Sequence, residues 1–209
     1  MNGKTHVTVG GLVGLGISNY VGADVPTMIS FTLLGGFVGL VPDLDVNGTL
    51  ANKITLNKKT VQAMLGFIGL FIIFYSFFYE NGMEQWIGAS IGIVLFIVPS
   101  LIVKQKTMLL LTGIAVLLAG IFCDELWLIL FGIYIAVASL LPHRSLTHSM
   151  IGLAYFCTIG YLLEQKLQIE GILLVCGASY TSHLILDMKW IPMNRKGVKL
   201  FQPFSKFEL

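Results

Sequence analysis

What most constrains this chain is its punctuation: long runs of Leu, Ile, Val, Phe and Gly are broken at short intervals by a few polar residues. Helices read this way when lipid surrounds them, because their side chains meet hydrocarbon while the backbone satisfies its own hydrogen bonds. Composition agrees, with 56% hydrophobic and 11% charged residues, against about 25% charged in soluble domains. An ordinary water-soluble fold, disorder, a collagen-like repeat and a polar nucleic-acid binder are excluded. With no internal repeat or low-complexity tract, residues 1–209 read as a single domain.

Cutting the runs at their charges gives eight candidate membrane segments, at about 7–23, 25–41, 62–79, 85–103, 107–122, 126–141, 148–163 and 170–186. Several fall short of the roughly 20 residues that cross a bilayer upright. The first two are short and Gly-rich (Gly10, Gly11, Gly14, Gly16; Gly35, Gly36, Gly39). Small residues permit close helix contact, so these two are expected inside the bundle, a re-entrant hairpin being the alternative. The expected fold is an all-α, polytopic membrane bundle of about eight segments. Residues 188–209, with Pro192, Asn194, Gly197 and Pro203, are expected to form a short cytoplasmic C-terminal flap.

Lys and Arg set the orientation, because cytoplasmic loops are enriched in them. With eight alternating segments and the N-terminus inside, twelve of the thirteen basic residues fall on the inner side, all but Lys166. The outer side receives Asp24, Glu80, Glu84, Asp124, Glu125, Glu164 and Glu170. This segregation predicts an N-in, C-in topology. Nothing near the start has the order of a signal peptide, so the first residues are expected to stay on the chain. Cys123, Cys157 and Cys176 lie in apolar stretches without CxxC spacing and read as buried small apolar residues.

The same topology collects the remaining polar groups. His6 opens the first segment, Pro42-Asp43-Leu44-Asp45 closes the second, His143 and His148 flank the start of the seventh, and His183 and Asp187 end the eighth. All four histidines thus share one layer with three of the four inner acids, Glu208 being the fourth. Taken singly, several have structural readings: His6 suits a membrane interface, Asp43 and Asp45 suit turns after Pro42, and Ser145 or Thr147 can cap the next helix. His183 and Asp187 are four apart and share a helix face. Ionisable groups at membrane depth are costly, which makes the set a functional candidate. Imidazole and carboxylate without thiolate suit zinc, manganese or iron, and Asp-x-Asp can bridge two ions. Seven candidate ligands (His6, Asp43, Asp45, His143, His148, His183, Asp187) exceed the need of one catalytic zinc. Either two divalent ions bind, or some of the seven orient ligands or move protons. Arg144, always charged and planar, is the natural clamp for a phosphate.

Thr5-His6 with Gly10, the P-D-L-D at 42–45, the H-R-S-L-T-H-S at 143–149, the S-H-L-I-L-D at 182–187 and the G-V-K-L-F-Q-P at 197–203 resemble, in order and over nearly the whole chain, the YdjM-type, LexA-regulated membrane-bound family. The resemblance implies a metal-dependent hydrolase of the bacterial inner membrane, with the quoted His and Asp positions as ligands. A more distant similarity is to zinc-dependent phospholipase C-like enzymes, although this chain has no tryptophan near its N-terminus to supply an amine ligand of their kind.

The expected function is hydrolysis of a lipid phosphoester by metal-activated water at the cytoplasmic face. Asp45, Arg144 and His148 act on the substrate in this reading. No G-x-S-x-G elbow points to acyl-ester chemistry. A metal or small-solute transporter is one alternative, although transport calls for polar groups across the membrane depth. A scaffold holding a structural metal is another.

Overall fold

The computed structural model describes residues 2–45, 54–55, 57–142, 144–190, 197–205 and 207–208, with only the backbone of Asp45. The described residues form eight α-helices and no strand: α1 (Gly3–Tyr20), α2 (Val25–Val38), α3 (Lys58–Tyr79), α4 (Met83–Ile102), α5 (Gln105–Phe122), α6 (Leu126–Leu140), α7 (Met150–Leu167) and α8 (Ile172–Leu186). Two 3₁₀ turns, Val41–Asp45 and Leu146–His148, precede and follow long stretches of helix at one end. The eight expected segments and the eight helices coincide to within a few residues. Helices α3, α4 and α5 are long and apolar enough to cross a membrane. At about 1.5 Å per residue, the 14 residues of α2 and the 15 each of α6 and α8 are shorter than a bilayer core of about 30 Å.

Polar side chains at the breaks start the helices. Asn2 accepts from Lys4 N, Asp24 from Thr27 N, Asn57 from Lys59 N and Ser149 from Gly152 N. Each satisfies a donor that the first turn leaves orphaned. The seventh helix is thus capped by Ser149, where the sequence suggested Ser145 or Thr147; the 3₁₀ turn at 146–148 delays the helix past both.

Consecutive helices pair as antiparallel hairpins, α1 with α2, α3 with α4, α5 with α6 and α7 with α8. Helix α8 also packs on α1 and α2, and α7 on α6, which makes α8 the hub of the core. The glycines of α1 and α2 do what their density predicted. A Cβ at Gly10 would sit 2.3 Å from the Gly35 carbonyl oxygen, and one at Gly14 would sit 2.0 Å from that of Phe31. Backbones this close admit no side chain, which is the packing that small residues allow between membrane helices. The core around them joins Phe31, Val38, Leu44, Ile135, Phe156, Val175, Tyr180 and Leu184. Helices α3 and α4 instead expose Phe67, Phe71, Phe78, Trp86 and Leu101 to their surroundings, as lipid-facing helices do.

The C-terminal stretch does lie on the bundle where it is described. Val198 is fully buried, and Leu200 accepts a hydrogen bond from Met150 N at the start of α7. Among the cysteines, Cys176 is buried and Cys157 partly so, but Cys123, just past α5, is exposed and departs from the expectation.

Candidate metal centre

In an up-down bundle, the starts of odd helices and the ends of even ones share one end. His6 lies in the first turns of α1, Asp43 in the 3₁₀ turn after α2, His148 in the 3₁₀ turn before α7, His183 in the last turn of α8, and Asp187 caps it. His6, His148, His183 and Asp187 are each no more than 2% exposed.

Four of these residues converge. Asp43, His148, His183 and Asp187 each offer one ligand atom, and the four atoms lie within 4.8 Å of one another. The His148 and His183 Nε2 atoms are 3.3 Å apart. Asp43 Oδ1 is 3.4 Å from His148 Nε2 and 3.7 Å from His183 Nε2, while Asp187 Oδ2 is 3.7 and 3.8 Å from the same two atoms. Ligands about 2.0–2.1 Å from a tetrahedral ion stand about 3.3–3.4 Å apart. The five edges that involve a histidine run from that value to 3.8 Å, and all four atoms lie within 4.8 Å, so the donor set could hold a divalent cation.

Proton placement agrees with the fit. His183 Nδ1 lies 2.7 Å from the Gly39 carbonyl, which can only accept, so Nδ1 carries the proton and a neutral ring leaves Nε2 bare. Its partner, His148, has Nδ1 3.1 Å from Thr147 Oγ1, leaving its Nε2 also directed at the cluster. Such bonds from the far ring nitrogen are the usual means of orienting metal-binding histidines. Two carboxylates and a bare imidazole nitrogen at this spacing repel one another unless a cation or a proton lies among them. Burial alone pushes the Asp43 carboxyl up, but the neighbouring imidazoles, chiefly through the hydrogen bond from His148, outweigh it and hold the group below the usual carboxylate range.

The other sequence candidates take different places. His6 is set one layer back: its Nε2 is 3.3 Å from Asp187 Oδ1, on the side of that carboxylate away from the four-atom cluster, and its ring stacks on His183 with centroids 3.9 Å apart. Among the described residues neither of its ring nitrogens makes a well-aligned hydrogen bond, and the Asp187 carboxylate is the nearest charged partner of Nε2. Arg144 does not stand clear as a clamp. Its Nη2 lies 3.3 Å from Asp187 Oδ2 and its Nη1 donates to the Gly197 carbonyl at 3.4 Å, so it braces a ligand against the C-terminal flap. With 17% of its side chain exposed, it still borders the cluster's open side, as does Asp43 at 20%. His143 and the Asp45 side chain lie outside the described residues. The Gly39 carbonyl could not be read from the sequence, since a backbone partner leaves no residue signature. Tyr180 was missed too, although spacings of three to His183 and seven to Asp187 put all three on one face of α8.

The family model described as YdjM inner membrane protein matches residues 1–209, the whole chain. The chain belongs to this family. No curated protein and no solved structure is matched. Membership in the YdjM family agrees with the three apolar helices long enough to span, and marks the chain as an inner membrane protein.

Proposed function

We propose that this protein is a membrane-embedded, metal-dependent hydrolase that cleaves a phosphoester of a membrane lipid at the cytoplasmic face of the bacterial inner membrane. Its eight helices cross or enter the bilayer with both termini inside, as the Lys and Arg distribution requires. The observation that carries the proposal is the convergence of two imidazole nitrogens and two carboxylate oxygens in a buried layer at one end of the bundle. Asp43, His148, His183 and Asp187 hold the ion, zinc before manganese or iron; a second ion would draw on the remaining candidates. When bound, such an ion polarises the scissile group and lowers the pKa of water from 15.7 to about 7.

The chain supplies the rest. His6 and Arg144 fix the Asp187 carboxylate from either side, and Arg144 and Asp43, the partly exposed members, meet the headgroup. Asp45 is the candidate for moving a proton, since the His148 ring is taken up in holding the ion. An apolar groove between α6 and α7 is lined by Ile133, Val137, Ile151 and Tyr155, and also by Leu146 and Thr147 of the turn that carries His148. A groove beside that turn would suit a substrate with an acyl chain. Donors gathered at one end, instead of along the helices, favour hydrolysis over transport.

Purified protein in lipid nanodiscs with zinc or manganese should release headgroup or phosphorylated headgroup from an inner-membrane lipid extract, read by mass spectrometry. His148→Ala should abolish the release, and hydrolysis that survives it overturns the proposal. Metal that raises the melting temperature without any turnover would identify a structural clip.

A further inference from the structure

Behind His148 lies a hydrogen-bonded chain that none of the metal ligands accounts for. Tyr180, fully buried in α8, donates its hydroxyl to the Thr147 carbonyl, in the 3₁₀ turn that carries His148. Tyr134 of α6 meets the same hydroxyl at 2.9 Å. Thr147 then reaches His148 Nδ1 through its own Oγ1 at 3.1 Å. The first turn of α7 is fitted around this junction: a Cβ at Gly152 would stand 2.7 Å from the Tyr180 hydroxyl and 2.5 Å from the Leu146 carbonyl oxygen.

We infer that Tyr180 is a positioning residue for the metal centre, its hydroxyl locking the Leu146–His148 turn so that His148 Nε2 faces His183 and Asp43. This rests on the metal-binding part of the proposed function. The physical reason is local. A three-residue 3₁₀ turn is held by few bonds of its own, and the residue on it must be placed to a few tenths of an ångström to serve as a ligand. One hydroxyl from the hub helix ties that turn to the element that carries His183 and Asp187, three and seven residues on. Tyr134 fixes the hydroxyl's direction, and its own ring, on α6, borders the apolar groove. The two tyrosines thus tie three of the four ligands to one rigid frame.

The test is metal binding, read apart from turnover. Full-length protein in detergent is titrated with zinc by calorimetry and with cobalt(II) by visible absorption, for wild type, Tyr180→Phe and Tyr134→Phe. Tyr180→Phe keeps the ring and the packing and removes only the hydroxyl. Its zinc affinity should fall by up to about tenfold, because a group bonded directly to a ligand costs about ten- to a hundredfold and this hydroxyl acts one bond further out. Its cobalt spectrum should change shape, while the metal-free melting curve stays near wild type. Tyr134→Phe should weaken zinc by a few-fold in the same direction. Wild-type affinity and an unaltered cobalt spectrum in Tyr180→Phe overturn the inference while leaving the metal centre standing. If Tyr180→Phe does not fold, Tyr134→Phe decides, and an unchanged affinity there overturns it. Wild type that binds neither ion removes the metal reading itself and the inference with it.

Discussion

The two ends of this bundle use ionisable residues in opposite ways. At the end holding the α7–α8 connection, charges close helix termini. Glu164 Oε2 accepts from Gly171 N and Leu173 N, at the start of α8, and Glu125 takes Trp127 Nε1 and Lys166 Nζ. Both of these acids have donors and some access to solvent. At the other end, Asp187 and three imidazoles are almost wholly buried and lie against one another. Groups of the first kind settle where helices begin and stop. Groups of the second kind have no such structural necessity, because capping the same helix ends would not require carboxylates and bare nitrogens to converge.

The largest way to break this contrast is Asp187→Ala. It removes a ligand and uncovers both His6 and Arg144, so zinc binding should become undetectable by calorimetry. The metal-free protein should lose on the order of 3–5 kcal/mol, as when one member of a buried ion cluster is deleted, read from thermal unfolding in detergent. Acid comes next, and should separate the two contributions of the cluster. Metal binding requires deprotonated ligands, so the apparent zinc affinity should fall as the pH is lowered, by up to about a hundredfold per unit where two ligands must lose protons. Asp43 behaves otherwise. Its folded-state pKa is lowered, so its stabilising contribution is present above the ordinary carboxylate range and is lost only as the pH falls through its depressed value. Melting curves of the metal-free protein should show that loss in wild type and not in Asp43→Asn.

At the opposite end, Glu164→Gln should weaken the start of α8 by about 1 kcal/mol, the value of a cap, with zinc affinity unchanged. A shift in metal binding there would mean that the ends are coupled through α8 and not independent. Smallest of all, Lys166→Ala removes an exposed ion pair with Glu125, and neither the melting temperature nor metal binding should move measurably.

The helices are legible because apolar runs and polar breaks are imposed by the bilayer, and Asn2, Asp24, Asn57 and Ser149 stand at the breaks as caps. Gly10 and Gly35 announce the tight α1–α2 contact by their lack of side chains. The converging layer of His148, His183, Asp43 and Asp187 follows from helix parity alone, since antiparallel succession decides which termini meet. What parity cannot supply is depth within the layer. His6 is one step further from the cluster than its position in the sequence suggests, because it stacks on His183 and meets the outer oxygen of Asp187. Arg144 likewise looks like a free cation until the fold brings Gly197 to it. The Tyr180 hydroxyl and the Gly39 carbonyl were illegible for a simpler reason: each acts through a backbone group whose place depends on the three-dimensional approach of a distant helix.

The bond from His183 to the Gly39 carbonyl joins positions 144 residues apart. Contacts of that separation form late, after the intervening chain has been ordered. In a membrane bundle this has a further consequence, because a helix inserted upside down delivers its end to the wrong side. The centre can therefore close only when α2, α7 and α8 all have their proper sense, and its formation reports that these three helices have assembled the right way round relative to one another.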